Sequence, residues 1–167
     1  RVEAYGTVDE LVAAIAMARS HNLSKEISDT LKKIEEELFL VAAELASSNI
    51  DKLKNKISQE HISWLERKID QLMSQSSIKN DFIVPGPYKS SASIHMARTI
   101  ARRAERHVVR LNLETPIRRE IIVYLNRLSD LLFAAAKLQE EEETVKQAME
   151  RVKASSGQRG REVQEIT

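Results

Sequence analysis

The chain has no cysteine among its 167 residues. That excludes a disulfide framework, a thiolate metal site and cysteine nucleophilic catalysis, and it fits a reducing compartment. Turn-forming residues are scarce, with four Gly and three Pro. Aromatic residues are few as well, one Trp, three Tyr and three Phe, which leaves little for stacking on nucleic-acid bases. Charge of one sign is not in excess: 26 basic and 25 acidic residues leave +1. Global charge therefore gives no reason to expect nucleic acid as a partner. No apolar run approaches the ~18 residues of a membrane span, and no signal-peptide pattern opens the chain, so no membrane partner and a soluble, cytoplasmic protein are expected. The first residue is Arg1 rather than Met, so an N-terminus that is processed, trimmed or left out of this sequence is expected.

What the chain does have is charged residues, 31% of the total, and many Ala, Leu, Glu, Lys and Arg, a composition that favours helix. The length suits one domain able to bury a core unaided. Thr7, Val8, Asp9 and Glu10 read as a helix start, with Thr7 as cap and Glu10 reaching back to it. Val8, Leu11, Val12, Ile15 and Met17 then mark an apolar face running to about residue 22. Ile27, Leu31, Ile34, Leu38, Val41 and Leu45 alternate spacings of four and three, as in a helix packed lengthwise in a bundle. A polar stretch, residues 47–56, ends it. A third helix starts near Ser58 and carries Ile62, Leu65, Ile69 and Leu72. Residues 74–90 show no helical period and centre on Pro85-Gly86-Pro87, a long loop of the kind that carries function. The fourth helix is expected from about residue 91 to 111. Thr115 and Pro116 read as cap and first residue of the fifth, whose buried face is Ile121, Leu125, Leu128, Leu132, Ala135 and Leu138. Beyond Gln139 a run of four glutamates opens a polar tail, expected to be a solvated helix extension that frays. The expected fold class is all-α, a five-helix bundle.

Three places resist a purely structural account, the third of which, the mixed segment of residues 1–7 leading into the first helix, says little by itself. Arg98, Arg102 and Arg106 recur every four residues, so they project from one side of the fourth helix, with Arg103 and Glu105 beside them. Like cations in a row repel unless an anion faces them, and the guanidinium fork suits phosphate or carboxylate. The plain alternative is a solvated face with Glu105 as counter-ion. Asn126, beside Leu125 and Leu128, must find a partner to offset its desolvation: a cation, a ligand, or a group on a neighbouring helix.

Taken in order, residues 1–11 (RVEAYGTVDEL), 81–86 (DFIVPG), 97–106 (ARTIARRAER) and 126–133 (NRLSDLLF) closely resemble the signature blocks of one family. It is the trimeric, five-helix-bundle class of ATP:cob(I)alamin adenosyltransferase, a class also found in mitochondria. Residues 37–46 (ELFLVAAELA) and 61–70 (HISWLERKID) are similar to the family too, and the likeness covers roughly residues 1–135.

The resemblance implies a homotrimer with ferritin-like up-down packing and active sites between subunits. Residues 1–139 would form the adenosyltransferase domain and residues 140–167 a charged extension. It implies transfer of the 5′-deoxyadenosyl group of ATP to the cobalt of cob(I)alamin, with Mg2+ sharing the charge of the departing triphosphate and a corrinoid-reducing protein as a partner. Arg102 matches the arginine on the ATP phosphates. Arg98 matches one that pairs with an acid of the neighbouring subunit's first helix, here Asp9. Asn126 matches an asparagine near the nucleotide and its metal, Arg103 and Glu105 match further positions of the ATP motif, and Phe82 matches the loop phenylalanine beneath the corrin. Two departures are visible: the family's glycine- and threonine-rich phosphate segment lies before the first block, and its second glycine after Pro85-Gly86 is here Pro87. The rival reading is a non-enzymatic bundle that binds an anionic partner through Arg98, Arg102 and Arg106. A ferritin-like metal bundle would need Glu three residues before His61 and His95, where Ser58 and Ala92 stand.

Overall fold

A computed structural model describes residues 1–77 and 85–164, with side chains as far as Ser155. Five α-helices account for most of the described chain: α1 (Val2–Arg19), α2 (Lys25–Ala46), α3 (Gln59–Gln75), α4 (Lys89–Glu114) and α5 (Arg119–Gln164), with one 3-10 turn at Ile50–Lys52. No strand occurs among the described residues, and no described helix is long and apolar enough to cross a membrane.

Cross-helix contacts fix the helix directions. Arg19 pairs with Glu35, Glu10 with Arg103, Asn126 with Glu105, and Tyr124 with Glu37. Each pair has a second contact, Arg1 with Leu45, Glu3 with His107, Ser91 with Glu140 and Ser24 with Gln139. Moving forward along one helix therefore means moving backward along its neighbour, so α1–α2, α1–α4, α4–α5 and α2–α5 run antiparallel. The bundle is therefore up-and-down, with α4 packed between α1 and α5, and α5 packed on α3 as well. Its core follows the expected spacing: the six apolar positions of α2 and the six of α5 are all buried. On α4 the inward stripe is Ala97, Ala101 and Ala104 between Ile94 and Val108, all at 0% exposure. These small residues let α1 and α5 approach closely, and the arginines take the flanks. One buried polar network crosses the core: Glu37 accepts from the Tyr124 hydroxyl at 2.8 Å and pairs with Lys33 at 2.7 Å. Burial, reinforced by the Glu37 charge, holds the Tyr124 phenol well above its ordinary pKa.

Four local expectations are corrected. Thr7 does not cap α1, which begins five residues earlier, at Val2. The Thr7 hydroxyl instead donates back to the Glu3 carbonyl at 2.7 Å, the alternative open to a threonine inside a helix. Glu10 is free of the cap and pairs with Arg103. Arg1 helps fix the early start, because its guanidinium donates to the Leu45 and Ser47 carbonyls at 3.1 and 2.9 Å, at the C-terminus of α2. Met17, expected on the buried face, is 62% exposed.

Thr115 and Pro116 do not open α5. Thr115 ends α4, donating its N–H to the Leu111 carbonyl, and the Asn112 side chain accepts from the Ile117 N–H at 2.8 Å. That ties residues 115–118 into a connector, and α5 starts at Arg119. Finally, the glutamates after Gln139 are not simply solvated. They are half-buried and the helix passes through them without a break. At about 1.5 Å per residue α5 is about 70 Å long, so its C-terminal half stands beyond the bundle.

Candidate active site

The stripe Ala97, Ala101 and Ala104 faces the core, and one residue further on a helix is a turn of 100°. Arg98, Arg102 and Glu105 each follow one of these alanines, so all three lie on the same flank, toward α5 and α3. Arg103 precedes Ala104 and lies on the opposite flank, where it meets Glu10 of α1.

On the α5 side an open cleft of about 440 Å³ is lined by Ile69, Met73, Arg98, Arg102, Asp130 and Phe133, among others. Its wall is divided. Ile69 and Met73 of α3 with Phe133 of α5 are apolar, while the α4 edge is cationic. Beside it a chain of contacts links the two helices. Arg102 Nη1 lies 2.6 Å from Glu105 Oε2, and Glu105 Oε1 accepts from Asn126 Nδ2 at 2.8 Å. Asn126 Oδ1 accepts from Arg127 Nη2 at 2.9 Å, and Arg127 pairs with Asp130 at 3.3 Å. Asn126 thus resolves its desolvation across helices, with Glu105 as the bridge.

The structure brings Arg102, Glu105 and Asn126 into one network and places Arg98 on the same cleft. Arg103 stands apart, and Phe82 lies outside the described residues. Arg98 makes no ion pair among the described residues, and its Nε is buried without a hydrogen-bond partner. Asp9 is exposed and has no ion pair among the described residues of its own chain. Arg106 is exposed too.

Further residues belong to the site that sequence reasoning had not assigned to it. His95 is 3% exposed, one turn before Arg98, with its ring 6.2 Å from that of Phe133. Desolvation, and then the nearby Arg98 charge, hold its pKa below the ordinary histidine value, so the ring is neutral near pH 7. Phe133 and Asp130 were legible in principle, since they lie seven and four residues after Asn126, on its face of the helix. Ile69, on the apolar stripe of α3, packs against the core and also lines the cleft.

As an oxygen-donor set for a metal the cleft is sparse. Among the described residues no three His, Cys, Asp or Glu side chains gather in a metal-binding group. Such a site suits a metal that arrives on a polyphosphate and keeps its waters, as Mg2+ does, rather than one caged by protein.

Comparison with known proteins identifies the family. A family model described as cobalamin adenosyltransferase matches residues 1–139. The corrinoid adenosyltransferase of Citrobacter freundii is 40% identical over 142 residues, covering 84% of this chain and 81% of that one. The corrinoid adenosyltransferase PduO of Salmonella typhimurium is 41% identical over 142 residues, and the match spans 84% of this chain but only 42% of that longer relative. Among solved structures, a variant of the PduO-type ATP:corrinoid adenosyltransferase from Lactobacillus reuteri, complexed with cobalamin and ATP, superposes with a TM-score of 0.78 at 36% identity. That likeness covers 86% of this chain and 82% of the other. With a family model spanning most of its length and relatives of this similarity, the chain belongs to the cobalamin adenosyltransferase family.

Proposed function

We propose that this protein transfers the 5′-deoxyadenosyl group of ATP to the cobalt of a reduced corrinoid. The observation that carries the reading is the divided cleft: guanidinium groups of α4 on one edge, Ile69, Met73 and Phe133 on the other. A triphosphate suits the first and a corrin macrocycle the second. In the reaction the cobalt of cob(I)alamin attacks the 5′ carbon, a Co–C bond forms, and the C–O bond breaks with its electron pair leaving on triphosphate. No protein nucleophile is required. The protein's work is to align the two substrates and to stabilise charge on the leaving group.

Arg102 is the residue for the phosphates: its Glu105 partner orients the fork, and the exposed guanidinium keeps donors for an anion. Glu105 and Asn126 hold that geometry, and Asn126 would help to hold the nucleotide's metal, which would supply charge neutralisation there. Mg2+, when bound, shares the triphosphate charge. Arg103 supports the motif from the α1 side through Glu10. Arg98, with no counter-ion among the described residues of its own chain, pairs with Asp9 of the partner subunit in a homotrimer, so that active sites form between subunits. The exposed apolar residues Met17 and Met96, beside a groove between α1 and α4, supply a surface for that assembly. Phe82 contributes a ring to the corrinoid side. The protein acts in the cytoplasm, with a corrinoid-reducing protein delivering the electron.

The test is anaerobic mixing of the protein with cob(I)alamin and MgATP. Conversion of the cob(I)alamin spectrum to that of adenosylcobalamin, with one triphosphate released per corrinoid, is expected. An unchanged spectrum with salt-sensitive binding of acidic polymers would favour the non-enzymatic bundle. Sedimentation at micromolar concentration should return a trimer, and monomer alone would overturn the assembly.

A further inference from the structure

On α4 a histidine and an arginine stand one turn apart, and each has what the other lacks. Arg98 Nε is buried without a hydrogen-bond partner among the described residues, and so are both ring nitrogens of His95. Buried polar atoms are rarely left unpaired, because desolvation is then uncompensated. A guanidinium Nε–H can only donate, whereas a neutral imidazole keeps one nitrogen lone pair that can accept. Burial, and then the Arg98 charge, hold His95 below the ordinary histidine pKa, so that lone pair is retained near pH 7. Helix geometry brings the two together. Positions three apart share a face, and a long helical side chain leans toward the N-terminus, which carries the Arg98 stem back over the turn of His95. The His95 ring also lies 6.2 Å from that of Phe133. Phe133 and Arg98 both line the cleft, one on its apolar wall and the other on its cationic edge, and His95 is buried beside both.

We propose that His95 is a positioning residue for Arg98: in the ATP-loaded enzyme its unprotonated ring nitrogen accepts from Arg98 Nε–H and so aims the guanidinium at the cleft. The contact forms by rotation about the side-chain bonds of Arg98. It engages Nε alone and leaves the terminal nitrogens of the fork free to meet an anion. The proposal rests on the adenosyltransferase reading, in which Arg98 serves through those terminal nitrogens, and adds the residue that aims them.

Two substitutions separate positioning from packing, because the two roles predict opposite orders. His95→Gln keeps an acceptor on a polar side chain, while His95→Phe keeps a ring and has no acceptor. With cob(I)alamin and MgATP, His95→Phe should lower kcat/KM for the corrinoid about tenfold, with KM for ATP within about twofold of wild type. His95→Gln should recover most of that loss. Arg98→Lys keeps the charge but has no donor at the Nε position, so adding His95→Phe to it should lower activity no further. A second readout needs no turnover. In nitrogen-15 spectra with MgATP present, the Arg98 Nε–H, assigned by its absence from Arg98→Lys, should exchange about tenfold more slowly in wild type and His95→Gln than in His95→Phe. A His95→Phe enzyme more active than His95→Gln would assign the residue to packing and overturn the proposal. Additive losses with Arg98→Lys, an equal loss toward ATP, or an Nε–H that exchanges alike in all three proteins would overturn it too. A wild type that adenosylated no corrinoid would instead sink the adenosyltransferase reading, and the Nε–H exchange would still decide the His95 contact.

Discussion

Arg118 and Arg102 carry the same charge in the same bundle, and their surroundings give them opposite roles. Arg118, in the connector before α5, donates to Glu44 at 2.8 Å and to the Ile57 carbonyl at 3.0 Å, and it pairs with Glu120 at 3.1 Å. Glu44 is 2% exposed and also accepts from the Ile57 N–H at 2.6 Å. Burial works against the Arg118 charge, but the hydrogen bonds and charges of Glu44 and Glu120 outweigh it and raise its pKa. That cluster is closed: it ties α2, the start of α3 and α5 together. Arg102 engages one acid, Glu105, and its side chain is 46% exposed. Beside it Arg98 has a buried Nε with no hydrogen-bond partner. That cluster is open. What a cation does follows from whether its donors are already engaged within the chain.

The largest effect should come from breaking the closed cluster. Arg118→Ala leaves the Glu44 carboxylate buried beside apolar groups, a change worth about 3 kcal/mol of stability. Urea unfolding at fixed protein concentration would read it. The double change Glu44→Gln with Arg118→Met should lose less than Arg118→Ala alone, because no buried charge is then left unpaired. Adenosylation by Arg118→Ala at a temperature where it remains folded should be close to normal. A large loss there would mean that Arg118 serves the site as well.

Opening the other cluster further should reverse the pattern. Arg102→Ala removes an exposed pair with Glu105, worth about 0.2–1 kcal/mol at most to the fold. Toward ATP it removes a charge-assisted contact of about 1.5–3 kcal/mol, one to two decades in affinity. Calorimetric titration with MgATP, beside an unfolding curve, separates the two. Normal ATP binding by the variant would return Arg102 to the solvated face of the helix.

This contrast also marks what could be read beforehand. The faces of α2, α3 and α5 were legible because burial repeats every three to four residues and leaves that period in the sequence. The arginine flank of α4 was legible as a pattern but ambiguous as a function: Glu105 was expected as a counter-ion, and it is one, yet it also holds Asn126. Helix starts were less legible. Thr7 and Thr115 have the chemistry of caps, but the Thr7 hydroxyl turns back to the Glu3 carbonyl, and Thr115 ends α4, its backbone N–H bonded to the Leu111 carbonyl. The glutamates after Gln139 looked solvated because their partners are serines more than 48 positions away in sequence. No local pattern announces a contact of that range.

The smallest predicted effect tests whether engagement alone sets the size of a contribution. Glu26, in the first turn of α2, is as fully engaged as Arg118: it accepts from Lys68 Nζ and Gln71 Nε2, both at 2.7 Å, and from Gln75 Nε2 at 3.1 Å. Its side chain is 30% exposed, however, and water screens the pair. The Lys68 hydrogen bond is the main cause of a pKa below the ordinary value, with partial burial opposing it and Gln75 and the Lys68 charge adding to it. A carboxylate whose folded pKa is depressed stabilises the fold above its unfolded pKa. That contribution fades as pH falls through the folded pKa, because the unfolded chain takes up the proton first. Wild type should therefore exceed Glu26→Gln in stability by about 0.2–1 kcal/mol near neutral pH, and the gap should close as pH falls below the ordinary glutamate range. A gap of that size that held constant with pH would assign the contribution to hydrogen-bond geometry rather than charge. A gap as large as that of Arg118→Ala would mean that engaged donors and acceptors decide the magnitude by themselves, and that burial, the difference between Glu44 and Glu26, does not.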